Sequence, residues 1–281
     1  MLKDFDKITK EDIKDVVLDY NLHSHNYLCG HAVGTVEDYV REAVKNGVKV
    51  LGISDHIDTR NLTGCGWINK DNIDKDYLSQ FIAPVKEFGD KITIYKAGEA
   101  EYYDDNEASY DFFKSKLDYL ILGQHCVETQ NVRKHIVELG SAEKYALELV
   151  EQENRGIETG LFTVLAHPDM VFGWYSGDVD ALKKKLEKIV LNAADKGMLI
   201  EFNANGIRCN GFGYPTDYLV DICKHYDIPV IVSSDCHQPN VLCDEYVKKL
   251  IVFLRRKNIR ILTAEEIKNK IEEKSRRQFD I

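Results

Sequence analysis

Seven short segments rich in branched apolar residues recur along this chain, separated by stretches with the pattern of amphipathic helices. One such stretch, 35–47, begins at a potential cap, Thr35, carries acidic residues in its first turn and ends at Gly47. The stretch 180–197 has the same character, and 259–274 predicts a last strand and a closing helix. Alternation of strand and helix over a whole chain is typical of a parallel sheet or a closed α/β barrel. The predicted strands are 16–23, 48–54, 91–99, 117–125, 161–167, 197–203 and 228–235.

Composition and charge limit the classes of function. The sequence has no internal repeat, low-complexity segment or linker-like stretch, so we expect one compact domain over residues 1–281. A formal net charge of −10 argues against nucleic acid or an anionic membrane as a partner. The polar N-terminus and the absence of a long apolar run predict neither a signal peptide nor a membrane helix. Seven scattered cysteines are typical of reduced thiols in a cytoplasmic protein. The oligomeric state stays open.

Polar side chains follow almost every predicted strand at its carboxyl end. In a closed α/β barrel these ends surround one mouth, where active sites are built. Histidines scattered on a surface, or buried in a core with hydrogen-bond partners, are the two other interpretations of a His-x-His pair. Neither explains why the polar groups collect at the same end of successive strands, so a shared metal site is favoured. The segments are "LHSH" (22–25), "SDH" (54–56), "AGE" (97–99), "GQH" (123–125), "LAHPD" (165–169) and "SSDCH" (233–237).

These segments, with one further histidine, supply more potential ligands than one metal ion can take. Zinc in proteins binds four or five groups, so three divalent ions fit better. A mixture of imidazole and carboxylate ligands suits zinc, iron or manganese. A carboxylate bridges two ions more easily than an imidazole, which favours Glu99 as the shared ligand. His135 and His225 are interpreted as surface residues, and Cys29 and Cys236 as packing residues in preference to thiolate ligands. The candidate ligands are His23, His25, His31, His56, Glu99, His125, His167, Asp235 and His237.

The motifs "HSH" (23–25), "ISDH" (53–56), "GEAEY" (98–102), "AHPD" (166–169) and "SSDCH" (233–237) resemble those of the PHP family, named for polymerase and histidinol phosphatase. The resemblance implies a distorted (β/α)7 barrel with a trinuclear metal site at the carboxyl ends of its strands. Glu101 is the alternative to Glu99 as the bridge. Carried over by position, the three ligand sets are His23, His25, Glu99 and Asp235; Glu99, His125 and His167; and His31, His56 and His237.

Within the family, "EFNANGIR" (201–208) and the segment that follows it resemble the histidinol-phosphate phosphatases. The resemblance implies that Arg208 contacts the substrate phosphate, and Arg133 or Lys134 would supply a second cationic contact. Where those enzymes usually show Gly-Ser-x-His, this chain has "GQH" at 123–125. Asp169 is a weak candidate for the proton donor to the leaving group, because "HPD" after a strand is equally typical of a turn.

The expected activity is hydrolysis of a small phosphate monoester, with L-histidinol phosphate as the substrate. Metal ions, assisted by Glu99, Asp235 and Arg208, would hold a hydroxide for in-line attack on phosphorus, with no covalent phosphoenzyme. Three alternatives stay open: a PHP phosphoesterase that acts on nucleotides or other phosphates, an amidohydrolase-type barrel, and a barrel without catalytic activity.

Overall fold

The first seven predicted strands are present, and they form a single parallel sheet. The last strand expected in 259–274 is reduced to an isolated bridge between Val230 and Ile261. The computed structural model describes residues 2–60, 67–129, 132–209 and 212–277. The sheet order is β1-β2-β3-β4-β7-β8-β9, and each neighbouring pair is parallel. β5 and β6 form a separate antiparallel hairpin that the sequence analysis did not predict. The strands are β1 (Tyr20–Asn21), β2 (Val50–Ile53), β3 (Thr93–Ala100), β4 (Tyr119–Leu122), β5 (Cys126–Thr129), β6 (Val132–His135), β7 (Val164–Leu165), β8 (Leu199–Asn203) and β9 (Val230–Ser233).

Helices cover the outer face of this sheet. α2 confirms the helix expected over 35–47: Thr35 and Asp38 form a reciprocal capping box, and Gly47 follows the helix at φ 77°. The expected helix over 180–197 is α6. The helices are α1 (Lys10–Ile13), α2 (Val36–Lys45), α3 (Ile82–Phe88), α4 (Glu107–Lys116), α5 (Glu143–Glu158), α6 (Asp180–Asp195), α7 (Asn205–Arg208), α8 (Asp217–His225), α9 (Glu245–Arg256) and α10 (Ala264–Arg277).

The sheet curls into a nearly closed barrel, because β1 and β9 approach each other at their carboxyl ends. Ser24 and Cys236 form an isolated parallel bridge, and the His25 N–H donates to the Cys236 carbonyl at 2.9 Å. Deeper in the barrel the Tyr20 hydroxyl accepts from the Val232 N–H at 3.1 Å. The barrel fold expected from the sequence is therefore confirmed.

The barrel interior is an apolar core closed at the bottom by α10. Alternate strand residues such as Val50, Ile121 and Leu199 face inward, and Ile267 and Ile271 of α10 pack against them. Each such isoleucine contributes roughly 1.5–3 kcal/mol when fully buried. This apolar bottom lies opposite the carboxyl ends of the strands, where the candidate polar groups follow. Among the described residues, no helix is both long and apolar enough to cross a membrane.

Candidate metal centre

The nine candidate ligands come together at the carboxyl ends of the barrel strands. Eight of them line one cavity of about 500 Å³, and His23 lies fully buried beside it. They come from six different strands or the loops that follow them, although they span residues 23 to 237 of the chain. The barrel thus gathers into one site a set of groups that are far apart in sequence.

Glu99 lies at the middle of this set and is only 2 % exposed. Its Oε1 is 3.1 Å from His167 Nε2 and 3.8 Å from His125 Nε2. Its Oε2 is 3.0 Å from His56 Nδ1 and 3.4 Å from His23 Nε2. Each carboxylate oxygen therefore faces a different group of imidazoles, which is the arrangement that a bridging carboxylate requires.

The local backbone is shaped to make room for Glu99. A Cβ placed on Gly123, which follows β4, would lie 1.9 Å from Glu99 Oε1. Any side chain at this position would displace the carboxylate. A glycine between β4 and His125 is therefore a condition for the central position of Glu99.

Asp235 and the first two histidines form a second convergent group. His23 Nε2 and His25 Nε2 face each other at 3.1 Å, and Asp235 Oδ1 lies 3.2 Å from His25 Nε2. Asp235 Oδ1 is buried and has no hydrogen-bond partner among the described residues. Two imidazole nitrogens and an unpartnered carboxylate oxygen directed at one point fit a divalent cation.

The third group lies nearer the cavity opening. One ligand atom each from His31, His56 and His237 lies within 4.8 Å of the others. His31 Nδ1 is 3.0 Å from the carbonyl of Cys29, and His237 Nδ1 is 3.2 Å from that of Asp235. Since a carbonyl only accepts, both Nδ1 atoms carry the proton, and Nε2 is left as the nitrogen that can bind a metal.

The electrostatics of the site match a cation-binding centre. Burial lowers the pKa of His125 and of His237 to about 3, which keeps these imidazoles neutral. Burial alone would oppose ionisation of Glu99, but the neighbouring His23 and other imidazoles lower its pKa well below the usual value. Burial likewise opposes protonation of His23, yet three surrounding carboxylates outweigh it and raise the His23 pKa. This pocket attracts positive charge, and a divalent cation could satisfy the carboxylates in place of protons.

Comparison with known proteins shows the family of the chain. The model of the PHP domain matches residues 19–205, about two thirds of the chain. The chain belongs to the PHP family.

Curated relatives of this PHP protein carry phosphatase names. It is 27% identical over 229 residues to a probable histidinol-phosphatase of Deinococcus radiodurans, covering 77% of this chain and 85% of the relative. It is 24% identical over 254 residues to a histidinol-phosphatase of Bacillus subtilis, covering 77% and 92% respectively.

A solved structure with the same fold is that of a histidinol phosphate phosphatase from Lactococcus lactis, described as a complex with zinc, L-histidinol and phosphate. The TM-score is 0.66 at 14% identity, and the match covers 88% of this chain and 96% of the other. At this identity the likeness supports the PHP barrel fold alone.

Arg208 does not line the cavity, in contrast to the phosphate contact expected from the sequence. Its Nε donates to Asp244 Oδ2 at 2.6 Å, and its Nη1 donates to the Ser234 carbonyl at 3.0 Å. Its Nη2 donates to the Ser234 hydroxyl at 3.1 Å and the Val241 carbonyl at 3.3 Å. These bonds hold the guanidinium against the start of α9, where half-buried acceptors take up its hydrogens.

Two further residues predicted to function in the site, Lys134 and Asp169, do not line the cavity either. Arg133 lies on β6 opposite Glu128, and its side chain lies outside the part of the chain that the structure describes. Lys134 places its Nζ 5.3 Å from the centroid of the Tyr145 ring. Asp169 is buried away from the cavity, where it accepts a hydrogen bond from the Thr216 hydroxyl. The second cationic contact and the proton donor thus stay predictions without a structural assignment.

Glu101, the alternative bridge, occupies a different environment from Glu99. Its Oε2 accepts from the Tyr103 hydroxyl at 2.6 Å and from the Cys126 N–H at 3.2 Å. Its Oε1 lies 3.9 Å from His125 Nδ1, and its side chain also lines the cavity. These contacts make Glu101 a support for the loops around the cavity and favour Glu99 as the bridge.

The structure also brings in residues that the sequence analysis missed. The Trp67 ring stacks on His56 at 4.8 Å between centroids. His135, interpreted from sequence as a surface residue, lines the cavity with its ring nearly parallel to that of His125 at 6.4 Å. The side chain of His135 is exposed, as that interpretation predicts, and the β5–β6 hairpin places it in the lining of the cavity. Cys29 is buried, and its Sγ lies near His25 and His237.

Proposed function

We propose that this chain is a metal-dependent phosphatase that hydrolyses L-histidinol phosphate to L-histidinol and phosphate. The observation that carries the proposal is the position of Glu99 between two groups of imidazoles, in a family whose relatives include named histidinol-phosphatases. In this proposal the carboxylate of Glu99 would be a ligand shared by two divalent ions.

The proposed centre holds three ions of zinc, iron or manganese. Ions bound there would lower the pKa of water toward neutrality and offset the negative charge of the phosphoryl oxygens. Glu99 and Asp235 supply the carboxylate ligands of the inner sites, and the remaining ligands are the histidines. The ligand sets are His23, His25, Glu99 and Asp235; Glu99, His125 and His167; and His31, His56 and His237.

Hydrolysis then transfers the oxygen of water to phosphorus and breaks the phosphorus–oxygen ester bond. The alcohol leaves with a proton, and inorganic phosphate is released. In-line displacement of this kind needs positioning and charge stabilisation more than covalent chemistry by the protein.

The rest of the cavity suits a leaving group with a flat ring. Aromatic side chains make up much of its lining, including Trp67, Tyr103, Trp174 and Tyr214. Aromatic surfaces favour stacking with a planar group such as an imidazole. This lining supports an aromatic amino alcohol phosphate over a simple sugar phosphate.

A substrate panel with parallel metal analysis tests the proposal. Phosphate release is measured from L-histidinol phosphate, nucleoside monophosphates and p-nitrophenyl phosphate, and the metals of the same sample are counted by elemental analysis. We expect kcat/KM to be at least about tenfold higher for L-histidinol phosphate, which corresponds to about 1.4 kcal/mol. A preference for nucleotides would favour the other PHP phosphoesterase activity. No phosphate release from any of these compounds, together with two or fewer ions per chain, would favour the amidohydrolase alternative.

A further inference from the structure

β8 differs from the other six barrel strands, because none of the nine candidate ligands lies on it or in the loop that follows it. Its inward-facing positions carry Glu201 and Asn203, which are 0 % and 1 % exposed. Two fully buried polar side chains in an otherwise apolar strand need a reason, since burying them without partners is costly. We propose that Glu201, supported by Asn203, is a positioning residue that orients the metal ligands of three other strands. This inference rests on the metal centre of the proposed function.

The first contact of Glu201 sets the proton position of a ligand. Its Oε1 lies 2.9 Å from His23 Nδ1, and both groups are fully buried. A carboxylate only accepts, so Nδ1 carries the proton and Nε2 presents its lone pair. That Nε2 lies 3.4 Å from Glu99 Oε2 and 3.6 Å from Asp235 Oδ1, in the middle of the ligand set. A carboxylate behind a histidine in this way orients the ring and raises its basicity toward a metal.

The second contact supports the backbone of another ligand. Glu201 Oε2 accepts from the His167 N–H at 3.1 Å. His167 has φ 31°, in the left-handed region that residues other than glycine rarely adopt. Ala166 faces the barrel interior, so a regular strand would turn His167 outward. The left-handed turn brings the ring to Glu99, and the hydrogen bond that the His167 N–H donates to Glu201 helps to hold that turn.

Asn203 connects this carboxylate to a third ligand. Its Nδ2 donates to Glu201 Oε2 at 3.0 Å and to Asp235 Oδ2 at 3.1 Å. Because Oδ2 of Asp235 is taken by Asn203, the unpartnered Oδ1 is the oxygen that faces His23 and His25. Asp235 also has a left-handed backbone, at φ 45°. Glu201 and Asn203 together therefore contact ligands that follow β1, β7 and β9.

The variant Glu201→Gln tests this inference with little change of shape. Glutamine must place its NH2 group against either His23 Nδ1 or the His167 N–H. Against His23 it donates to Nδ1, which shifts the ring proton to Nε2 and blocks the metal-binding nitrogen. If the NH2 group lies against the His167 N–H instead, two donors face each other and that hydrogen bond is lost. Either choice weakens metal binding.

Zinc affinity is measured by equilibrium competition with a chromophoric chelator, on the full chain at neutral pH. Loss of such a supporting carboxylate lowers metal affinity by about 10- to 100-fold, and we expect that loss for Glu201→Gln. Raising the zinc concentration should restore much of the kcat without altering KM. Glu153→Gln is the matched control, because Glu153 is a comparably buried carboxyl on α5. Glu153→Gln should bind zinc as tightly as the wild type does. Wild-type zinc affinity in a folded Glu201→Gln variant would overturn the proposal.

A second measurement needs no substitution at Glu201 and covers the case of a variant that does not fold. Ring 15N spectra of the zinc-loaded wild type report which nitrogen of each histidine carries the proton, and His23→Asn assigns the signals of His23. We expect protonated Nδ1 and zinc-bound Nε2. Zinc bound through Nδ1 of His23, or no zinc at His23, contradicts the role of Glu201. Failure of the proposed function is distinct: the wild type would then bind zinc but release no phosphate from any monoester.

Discussion

Replacement of Arg208 by alanine separates two roles for this residue, a support within the fold and a contact to the substrate phosphate. In the structure its side chain is 14% exposed, and that of its partner Asp244 is 16% exposed. The guanidinium connects Asp244 to Ser234, the residue immediately before Asp235. Asp244 in turn caps α9 through its Oδ1, which accepts from the N–H groups of Tyr246 and Val247.

The magnitude follows from what Arg208→Ala leaves behind. The carboxylate of Asp244 loses its cationic partner, and the carbonyls of Ser234 and Val241 lose donors. Removing one partner of a buried ion pair costs roughly 3–5 kcal/mol. Because the pair retains some access to water, we expect the lower end, about 3 kcal/mol. At about 2–4 °C for each kcal/mol in a chain of this size, the melting temperature should fall by about 6–12 °C.

The assay combines thermal unfolding with steady-state kinetics and metal content on the same preparation. A supporting Arg208 predicts the fall in melting temperature and, well below that temperature, a loss in kcat/KM smaller than about tenfold. Arg208→Lys should recover only part of the stability, since one ammonium cannot replace a planar group with five donors. Asp244→Asn should lower stability in the same direction.

The opposite result would refute this reasoning. If Arg208 binds the substrate phosphate directly, alanine removes a charge-assisted hydrogen bond worth about 1.5–3 kcal/mol. The value of kcat/KM would then fall by about 10- to 150-fold. An unchanged melting temperature together with such a loss, in a fully metallated variant, would return Arg208 to the role implied by the family resemblance.

Four further outcomes are expected. Glu99→Gln should abolish turnover and lower the metal content, whereas Glu101→Gln should be far milder; the reverse order would make Glu101 the bridge. Gly123→Ala should reduce both metal content and kcat, because its Cβ would lie 1.9 Å from Glu99 Oε1, and a variant with wild-type values would show that the carboxylate can move aside. Elemental analysis of gently purified protein should find about three ions per chain, and a chelator should remove activity that zinc or manganese restores; one ion or fewer after metal addition contradicts a trinuclear centre. His135→Ala should raise KM several-fold. Lys134→Ala is the control and should leave KM unchanged, because the Lys134 ammonium lies over the Tyr145 ring. Equal effects of the two substitutions on KM would remove His135 from the substrate site.

Much of the fold could be predicted from the sequence because strand and helix patterns are local. Apolar runs predicted all seven barrel strands, and β8 was placed at 197–203 against the observed Leu199–Asn203. β1, one of two strands with only two residues among those described, is predicted over 16–23 but pairs at Tyr20–Asn21. The length of β1 depends on how far the neighbouring strand β2 runs beside it. The local composition of the sequence does not contain this information. The β5–β6 hairpin was missed for a related reason, because its strands pair only with each other and lie outside the barrel.

The candidate ligands could also be read from the sequence, since each follows a predicted strand, and a parallel barrel brings the carboxyl ends of all its strands to one mouth. The direction of each side chain could not be predicted from the sequence. Whether Arg208 points to the cavity or to α9 depends on Asp244, 36 residues further along the chain. The support of His23 by Glu201 joins residues 178 positions apart, and the inward turn of His167 depends on a left-handed backbone. The sequence alone determined which candidate metal ligands reach the mouth of the barrel, because each of them follows a predicted strand and parallel strands end at the same mouth. Only the tertiary structure decided which atoms face one another there, because hydrogen bonds between distant strands set the rotamers and proton positions.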